Sequence, residues 1–411
     1  MNVTISSFSI KNYRSCRNTS VALRPGLSTL IGINGSGKTN VLNAILLLQK
    51  VCNLQQPFGF KHTLGPKDEK NANRSSIDAT FIVGGKLVRY HAEIRYITRE
   101  NNQEDVVKAE EHWNTKEITG HDSWFTYPSF FLKQELRWNF KEGRRHMPSF
   151  VPEALANKKA SSALIAIGVF ISNINYYSAA QFTNPSECPA SFEMENDVLR
   201  RSFAGGNEHR RFMFDLYSKY KNEPAEFSGF KSIVGRYGIG LVDDIDFDTI
   251  QISANEMEVK VGGKLSKKKV KRVLVVPHFI ISRKNLSPSQ LSEGTYKTLA
   301  LLLYLDRAAS SLLLLEEPEV CTHHGLLASI IEMLKSYSKK KQIIIATHSD
   351  FILDQVKPET VFIVKNLRGK GTVVKHLPEA MSRKDYEALK TYLKTTGNLG
   401  EYWRDSELGN V

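Results

Sequence analysis

The sequence predicts an α/β fold, with a mixed sheet of buried strands and an antiparallel sheet beside it. Three observations carry this. Gly32-Ile33-Asn34-Gly35-Ser36-Gly37-Lys38-Thr39 fills the phosphate-loop pattern G-x-x-x-x-G-K-[ST] without a mismatch. Two apolar runs far along the chain, 312–315 and 343–346, each stop at polar residues. Parallel strands buried on both faces read this way, and ligands bind at their carboxyl ends. Residues 78–83 and 88–94 alternate apolar with polar, the period of strands that bury one face in an antiparallel sheet.

Each element can be justified in chain order. Residues 1–10 hold no basic region followed by an apolar stretch, so they read as an alternating strand and not as a signal peptide. Residues 27–31 form a short apolar run, and 41–48 a helical one, on either side of the glycine-rich loop. A loop between a strand and a helix points its backbone N–H groups, and the positive end of the helix dipole, at bound phosphate. The phosphate-binding set is then Asn34, Gly35, Ser36, Gly37, Lys38, Thr39 and Asn40. Lys38 is placed to reach the β- and γ-phosphates of a nucleotide and the Thr39 hydroxyl to hold Mg²⁺. Residues 65–70 and 99–105 are polar and loop-like. The stretch 133–228 is richer in helix formers, broken at Pro148, Pro152, Pro185 and Pro189, with 161–171 apolar enough for a core helix. Residues 233–281 suggest an antiparallel pair turning near Gly262-Gly263. Residues 368–371 make a turn and 385–392 a helix.

The chain has 411 residues, enough for two or three subdomains. No uninterrupted apolar stretch approaches the roughly 18 residues that span a bilayer, so a soluble protein is expected. The cysteines Cys16, Cys52, Cys188 and Cys321 show no paired spacing, as reduced thiols in the cytoplasm would. The formal net charge of +13 often accompanies nucleic acid or an acidic partner. Lys264, Lys267, Lys268, Lys269, Lys271 and Arg272 cluster in one stretch, with Lys339-Lys340-Lys341 and Arg144-Arg145 elsewhere. The cluster reads either as a contact to nucleic-acid phosphates or as a solvated hairpin edge guarded by lysines. Neither a helix-turn-helix nor a zinc-finger pattern appears, so any nucleic-acid contact is expected to be non-specific. His323 and His324 invite a zinc reading, but no CxxC or acidic cluster accompanies them, which favours helix-start or interface histidines.

The order of the motifs is phosphate loop, Leu291-Ser292-Glu293-Gly294, apolar run with Glu316-Glu317-Pro318-Glu319, and apolar run with Thr347-His348-Ser349. That order resembles the ABC-type ATPase head. The long gap after the phosphate loop resembles the SMC, RecF and OLD branch of such ATPases. The E-E-P-E and T-H-S forms look most like OLD-type ATPases, a group with ATPase subunits of bacterial anti-phage systems such as Septu and PARIS. The matching pieces cover residues 1–50 and 287–362. The resemblance implies a P-loop NTPase with an ABC-type head, and the helix formers of the middle stretch suggest an inserted helical subdomain. The expected boundaries are 1–132 for the N-terminal ATPase lobe, 133–281 for a helical and β insertion and 282–411 for the C-terminal lobe with a short tail. No long heptad tract is present, so a coiled-coil arm is not expected.

The resemblance also implies roles. Glu317 polarises the attacking water. Glu316 stands where an aspartate more often assists Mg²⁺. His348 resembles the switch histidine at the γ-phosphate. Ser292 and Gly294 resemble the signature motif, which binds γ-phosphate across a dimer interface. Ser292 also reads as an ordinary helix N-cap, and both readings can hold at once. Ile10-Lys11-Asn12-Tyr13-Arg14 resembles the I-x-N-[FY]-[RK] opening of RecF and SMC heads, where the arginine approaches the phosphates. Gln181 is the candidate for the Q-loop glutamine that touches Mg²⁺, with Gln55 and Gln56 as competitors.

The function then expected is an ATP- and Mg²⁺-dependent ATPase subunit that dimerises around ATP and controls a separate effector, such as a nuclease, in anti-phage defence. A higher oligomer is an extension of the same scheme. No D-x-D follows His348, so an intrinsic TOPRIM nuclease is not expected. A RecF-like DNA-repair ATPase and a slowly hydrolysing ATP-bound scaffold are the alternatives.

Overall fold

A computed structural model describes residues 2–52, 59–60, 74–98, 104–117, 125–126, 162–195, 198–199, 208–259, 265–307, 311–320 and 324–405. They form two compact units. The first takes Met1–Tyr177, Ala308–Glu319 and Ile330–Val411, the second Ser178–Arg307 and Val320–Ser329.

The first unit contains two sheets. The strands β3 (Leu27–Ile31), β9 (Ile174–Ser178), β15 (Leu312–Glu316), β16 (Gln342–Thr347), β17 (Val361–Leu367) and β18 (Gly371–His376) make a mixed sheet in the order β18-β17-β3-β16-β15-β9. β17, β3, β16 and β15 run parallel, and β18 is antiparallel to β17. Every residue of β3 and β16 is buried, as continuous apolar runs require. Each buried Leu or Ile there contributes about 1.5–3 kcal/mol relative to exposure.

The side sheet is antiparallel: β1 (Val3–Tyr13), β2 (Cys16–Val21), β4 (Gly59–Phe60), β5 (Arg74–Val83), β6 (Lys86–Thr98) and β7 (Glu104–Glu117), in the order β2-β1-β5-β6-β7-β4, with β8 (Phe125–Thr126) beside β7. Alternation decides which face is inward. Ile77, Ala79, Phe81 and Val83 of β5 and Val88, Tyr90, Ala92 and Ile94 of β6 are buried. They join one core with helix α1 (Lys38–Cys52), helix α2 (Ser162–Ser172) and residues Leu30, Leu314 and Ile344 of the mixed sheet. Phe81 and Phe170 meet edge to face at 6.1 Å within it. The α/β class, the mixed sheet and the antiparallel side sheet are as expected.

The second unit combines helices with an antiparallel sheet. Its sheet runs β11 (Val198–Leu199), β10 (Phe192–Glu195), β13 (Leu265–Ile281), β12 (Asp244–Val259), with β14 (Lys284–Leu286) on β13. The helices α3 (Glu208–Asn222), α4 (Pro224–Val234) and α5 (Glu293–Asp306) bury Phe212, Phe230 and Tyr296. Lys219 is buried and its ammonium lies 2.9 Å from Asp306, which pairs the charge. The unit borders do not follow the boundaries expected at 132 and 281. Helix α5, expected with the C-terminal lobe, belongs to the second unit, and the border near 133 lies outside the described residues. The same holds for Gly262-Gly263, for Gln55 and Gln56, and for His323. The strand pair expected over 233–281 is β12 with β13, in a register that sets Glu256 opposite Lys268. Cys16 and Cys188 are buried free thiols. Among the described residues no helix is long and apolar enough to cross a membrane.

One side chain ties the two sheets of the first unit together. Gln342, at the start of β16, accepts from the Ile5 N–H at 3.0 Å and donates to the carbonyls of Ile5 and Arg24 at 2.9 Å. Gln342→Leu leaves these buried backbone groups unpaired, at about 1–3 kcal/mol for each group that water cannot reach. The expected result is a urea midpoint lowered with an unchanged m-value; an unchanged midpoint would show that the cross-link contributes nothing.

Candidate functional site

The glycine-rich loop leaves β3 and enters α1, with Lys38 as the first residue of the helix. Two of its glycines are required by geometry. Gly37 has φ +103°, and a Cβ there would lie 2.0 Å from the Thr372 hydroxyl. Gly32 is packed as closely, since a Cβ on it would lie 2.3 Å from the Val364 carbonyl. Only a residue without a side chain passes both points.

Lys38 is 6% exposed and folds back over its own loop. Its Nζ donates to the carbonyls of Gly32 at 2.6 Å and Ile33 at 3.1 Å. Burial pushes its pKa below the ordinary lysine value, and the carboxylates of Glu317, Glu319 and Glu316 act against that shift. The Ser36 hydroxyl is buried with no hydrogen-bond partner among the described residues. A buried cation held only by carbonyls, an orphan hydroxyl and a glycine cradle fit a phosphate chain, which supplies acceptor oxygens to all of them.

Parallel pairing then delivers the acids. β15 ends at Glu316, and its carboxylate accepts the Thr39 hydroxyl through one oxygen and the Tyr176 hydroxyl through the other. Thr39 and Glu316 are 277 residues apart in sequence. A hydroxyl and a carboxylate side by side are hard oxygen donors of the kind Mg²⁺ takes alongside phosphates. Gln181, the third expected metal ligand, sits on a 3₁₀ turn, Ala179–Phe182, in the second unit.

Glu317 follows in a left-handed conformation, φ +48°, with its N–H on the Ala346 carbonyl at 2.8 Å. Such a φ costs a non-glycine residue of order 1–3 kcal/mol and collects at functional sites. Its carboxylate lies 3.5 Å from His348 Nδ1, just past the end of β16. A carboxylate beside an imidazole can accept a proton from a water between them and the phosphates.

Sequence reading assigned nothing to Glu319, Tyr176, Ser15 or Thr372. Glu319 is more buried than Glu317; its side chain is 10% exposed against 36%. It accepts from the Thr347 hydroxyl at 2.5 Å and lies 3.8 Å from His348 Nδ1. Burial pushes its carboxyl above the ordinary range, opposed by the Thr347 hydroxyl. The second acid of E-E-P-E was the available signal. Ser15 and Thr372 carry no pattern, yet they seat Asn40. Asn40 donates to Ser15 at 2.6 Å, Ser15 meets Thr372 at 2.7 Å, and Arg14 donates to Asn40 at 3.3 Å. Arg14 therefore stands beside the start of α1, with φ +49°.

In the second unit Ser292 caps α5. Its hydroxyl accepts the Thr295 N–H at 3.2 Å, and Gly294 lies in the first turn. The N-cap reading is thus observed. Ser292 and Gly294 line a cavity of about 810 Å³ shared with Gly238–Leu241 and Gly325.

Residues 27–354 match the family described as AAA domain, putative AbiEii toxin, Type IV TA system, well over half of the chain. The DNA replication and repair protein RecF of Salmonella typhi is 48% identical over 46 residues, 11% of this chain and 13% of that protein. The Old nuclease of Escherichia phage P2 is 49% identical over 45 residues, 11% of this chain and 8% of that protein. The chain thus matches a small fraction of these relatives' length. An SMC head domain from Thermotoga maritima aligns over 92% of this chain and 99% of its own, with 14% identity and a TM-score of 0.43.

The buried Glu319 sets a pH dependence. With its folded pKa raised, the carboxyl is protonated in both states at low pH and costs nothing there. As pH rises through the folded pKa, ionisation in a buried place costs stability that the unfolded chain does not lose. Glu319→Gln is expected to be more stable than the wild type at pH 8, with the gap closing towards pH 4. Urea titrations at both pH values test it; a gap independent of pH would refute it.

Proposed function

The chain belongs to that AAA-domain family, and from this premise we propose that it is an ATPase subunit of the RecF, OLD and SMC type, which closes as a head dimer around ATP and controls a partner effector. The observation that carries the reading is the junction of Thr39 with Glu316 beside the phosphate loop, with Glu317 and His348 at the ends of the two adjacent parallel strands.

The residues divide the work by position. Loop N–H groups and Lys38 take the phosphates, and Lys38 gives up the carbonyls of Gly32 and Ile33 to do so. Thr39 and Glu316 would hold Mg²⁺, which would supply neutralising charge to the phosphates. Glu317 accepts the proton of the water whose oxygen attacks the γ-phosphorus as the bond to the β-bridging oxygen breaks. His348 hydrogen-bonds the γ-phosphate and holds Glu317 in line. Arg14, steadied on Asn40, adds positive charge at the loop. Ser292 and Gly294 of the partner subunit complete the site at the helix start, so ATP bridges two chains.

The setting is bacterial defence, with an effector such as a nuclease as a separate chain. The family's description as a toxin–antitoxin component and the likeness to a phage nuclease support that setting. The likeness to RecF supports a second reading, a DNA-repair ATPase that closes on DNA. Duplex binding without a partner, falling steeply with salt, would favour repair; no duplex binding would favour effector control.

Two variants test the mechanism. Lys38→Ala is expected to lose ATP binding by equilibrium titration, and unchanged affinity would remove the phosphate-loop assignment. Glu317→Gln is expected to keep ATP, with phosphate release reduced by at least about a hundredfold. Light scattering of that variant should show a dimer only with ATP and Mg²⁺. A mass indifferent to ATP would favour the scaffold alternative.

A further inference from the structure

The second unit carries a cavity to which the ATPase scheme assigns no role. Its volume is about 840 Å³, within the range of small-ligand sites, and Arg236, Tyr237 and Arg283 line it. Three features there are each uncommon. Tyr237 is 101% exposed, a whole aromatic ring in water. Arg236 and Arg283 are exposed and have no hydrogen bond, ion pair or ring contact among the described residues. Ser282 and Arg283 stand in consecutive left-handed conformations, φ +51° and +67°, at the turn from β13 to β14.

None of this is slack chain. Residues 235–242 are closed onto the end of α4 by backbone hydrogen bonds. Gly238 N–H and Gly240 N–H reach the Gly235 carbonyl at 3.0 and 2.9 Å, Ile239 N–H reaches Ile233 at 2.8 Å, and Leu241 N–H reaches Val234 at 2.9 Å. Tyr237 is therefore held out at the tip of an ordered loop. The Ser282–Arg283 turn is held likewise, by the Asp243 carboxylate accepting the Ser282 N–H at 2.6 Å. Asn-Gly would make such a turn at no steric cost, so an arginine there implies a use for its side chain. The other charges in the lining are occupied. Lys231 pairs with Asp244 at 2.8 Å and lies over Phe227, and Asp243 is engaged by Ser282.

Two free guanidinium groups and one presented ring are the complement of a phosphate joined to an aromatic base. Guanidinium forks bind phosphate oxygens in pairs, and a tyrosine face stacks on any base. We infer that this cavity is a second nucleotide-phosphate site, separate from the phosphate loop, in which Arg236 and Arg283 take the phosphate and Tyr237 stacks on the base. A free nucleotide and the phosphorylated end of a strand present the same chemistry. Gly240 lines both this cavity and the one at Ser292, so the loop lies between the two sites.

The inference does not rest on head closure and is tested apart from it. The full chain carrying Lys38→Ala, which removes the phosphate-loop lysine, is titrated with fluorescent mant-ADP and with a short 5′-phosphorylated oligothymidylate labelled at its 3′ end. Binding of one or both is expected, weakened at least about tenfold by Arg236→Ala with Arg283→Ala, and also by Tyr237→Ala. Binding of mant-ADP makes the natural ligand a free nucleotide; binding of the oligonucleotide alone makes it a strand end. Arg283→Gly relieves the left-handed turn, so its melting temperature should rise while affinity falls, a divergence that a purely structural role would not produce. No binding of either ligand, or equal affinity in the double variant, overturns the inference.

Discussion

The parallel pairing of β3 with β16, and of β16 with β15, is the constraint on which the candidate site depends. These strands come from opposite ends of the chain, and their register sets Ile31 beside Thr347 and Ala346 beside Glu316. All three therefore end at one edge, where the phosphate loop begins. Nothing local could place Glu316 against Thr39, since loop closure over such a separation is repaid only by the buried apolar strands. The site is consequently as stable as the sheet core that assembles it.

At that edge the protein holds several groups that its own atoms satisfy poorly. Lys38 is buried on its loop carbonyls, the Ser36 hydroxyl has no partner among the described residues, and one oxygen of Glu319 is buried without one. Glu317 holds a left-handed backbone. Each costs folding free energy, and each is a group that a phosphate chain, a water or a cation could satisfy. Strain and unmet polarity concentrated at one strand edge mark the place where a ligand completes the structure.

The side sheet serves the same edge from outside. Gln342 bonds β1 to the start of β16, and the Arg14–Asn40–Ser15–Thr372 chain bonds the end of β1 to the start of α1 and to β18. Arg14 and Asn12 both lie in left-handed conformations. An arginine near the phosphate loop is thus positioned by the end of a side-sheet strand.

Much of this was legible in the sequence because short-range rules govern it. The glycine loop, the apolar runs of β15 and β16, the alternation in β5 and β6 and the cap at Ser292 each follow from a few adjacent residues. Glu316, Glu317, Thr39 and Lys38 could be selected from motifs alone. The structure decided what depends on distant contacts. Glu319 is buried against Thr347, Tyr176 meets Glu316, and Ser15 with Thr372 seats Asn40. It also placed α5 in the second unit and joined the strand pair expected over 233–281 to three further strands in a five-stranded sheet. Tyr237, Arg236 and Arg283 carry no pattern at all, because a loop and a turn 46 residues apart share a cavity only once β12 and β13 have paired. Sequence by itself determines periodicity and local backbone chemistry; which side chains end up sharing a cavity is settled by long-range strand pairing and burial.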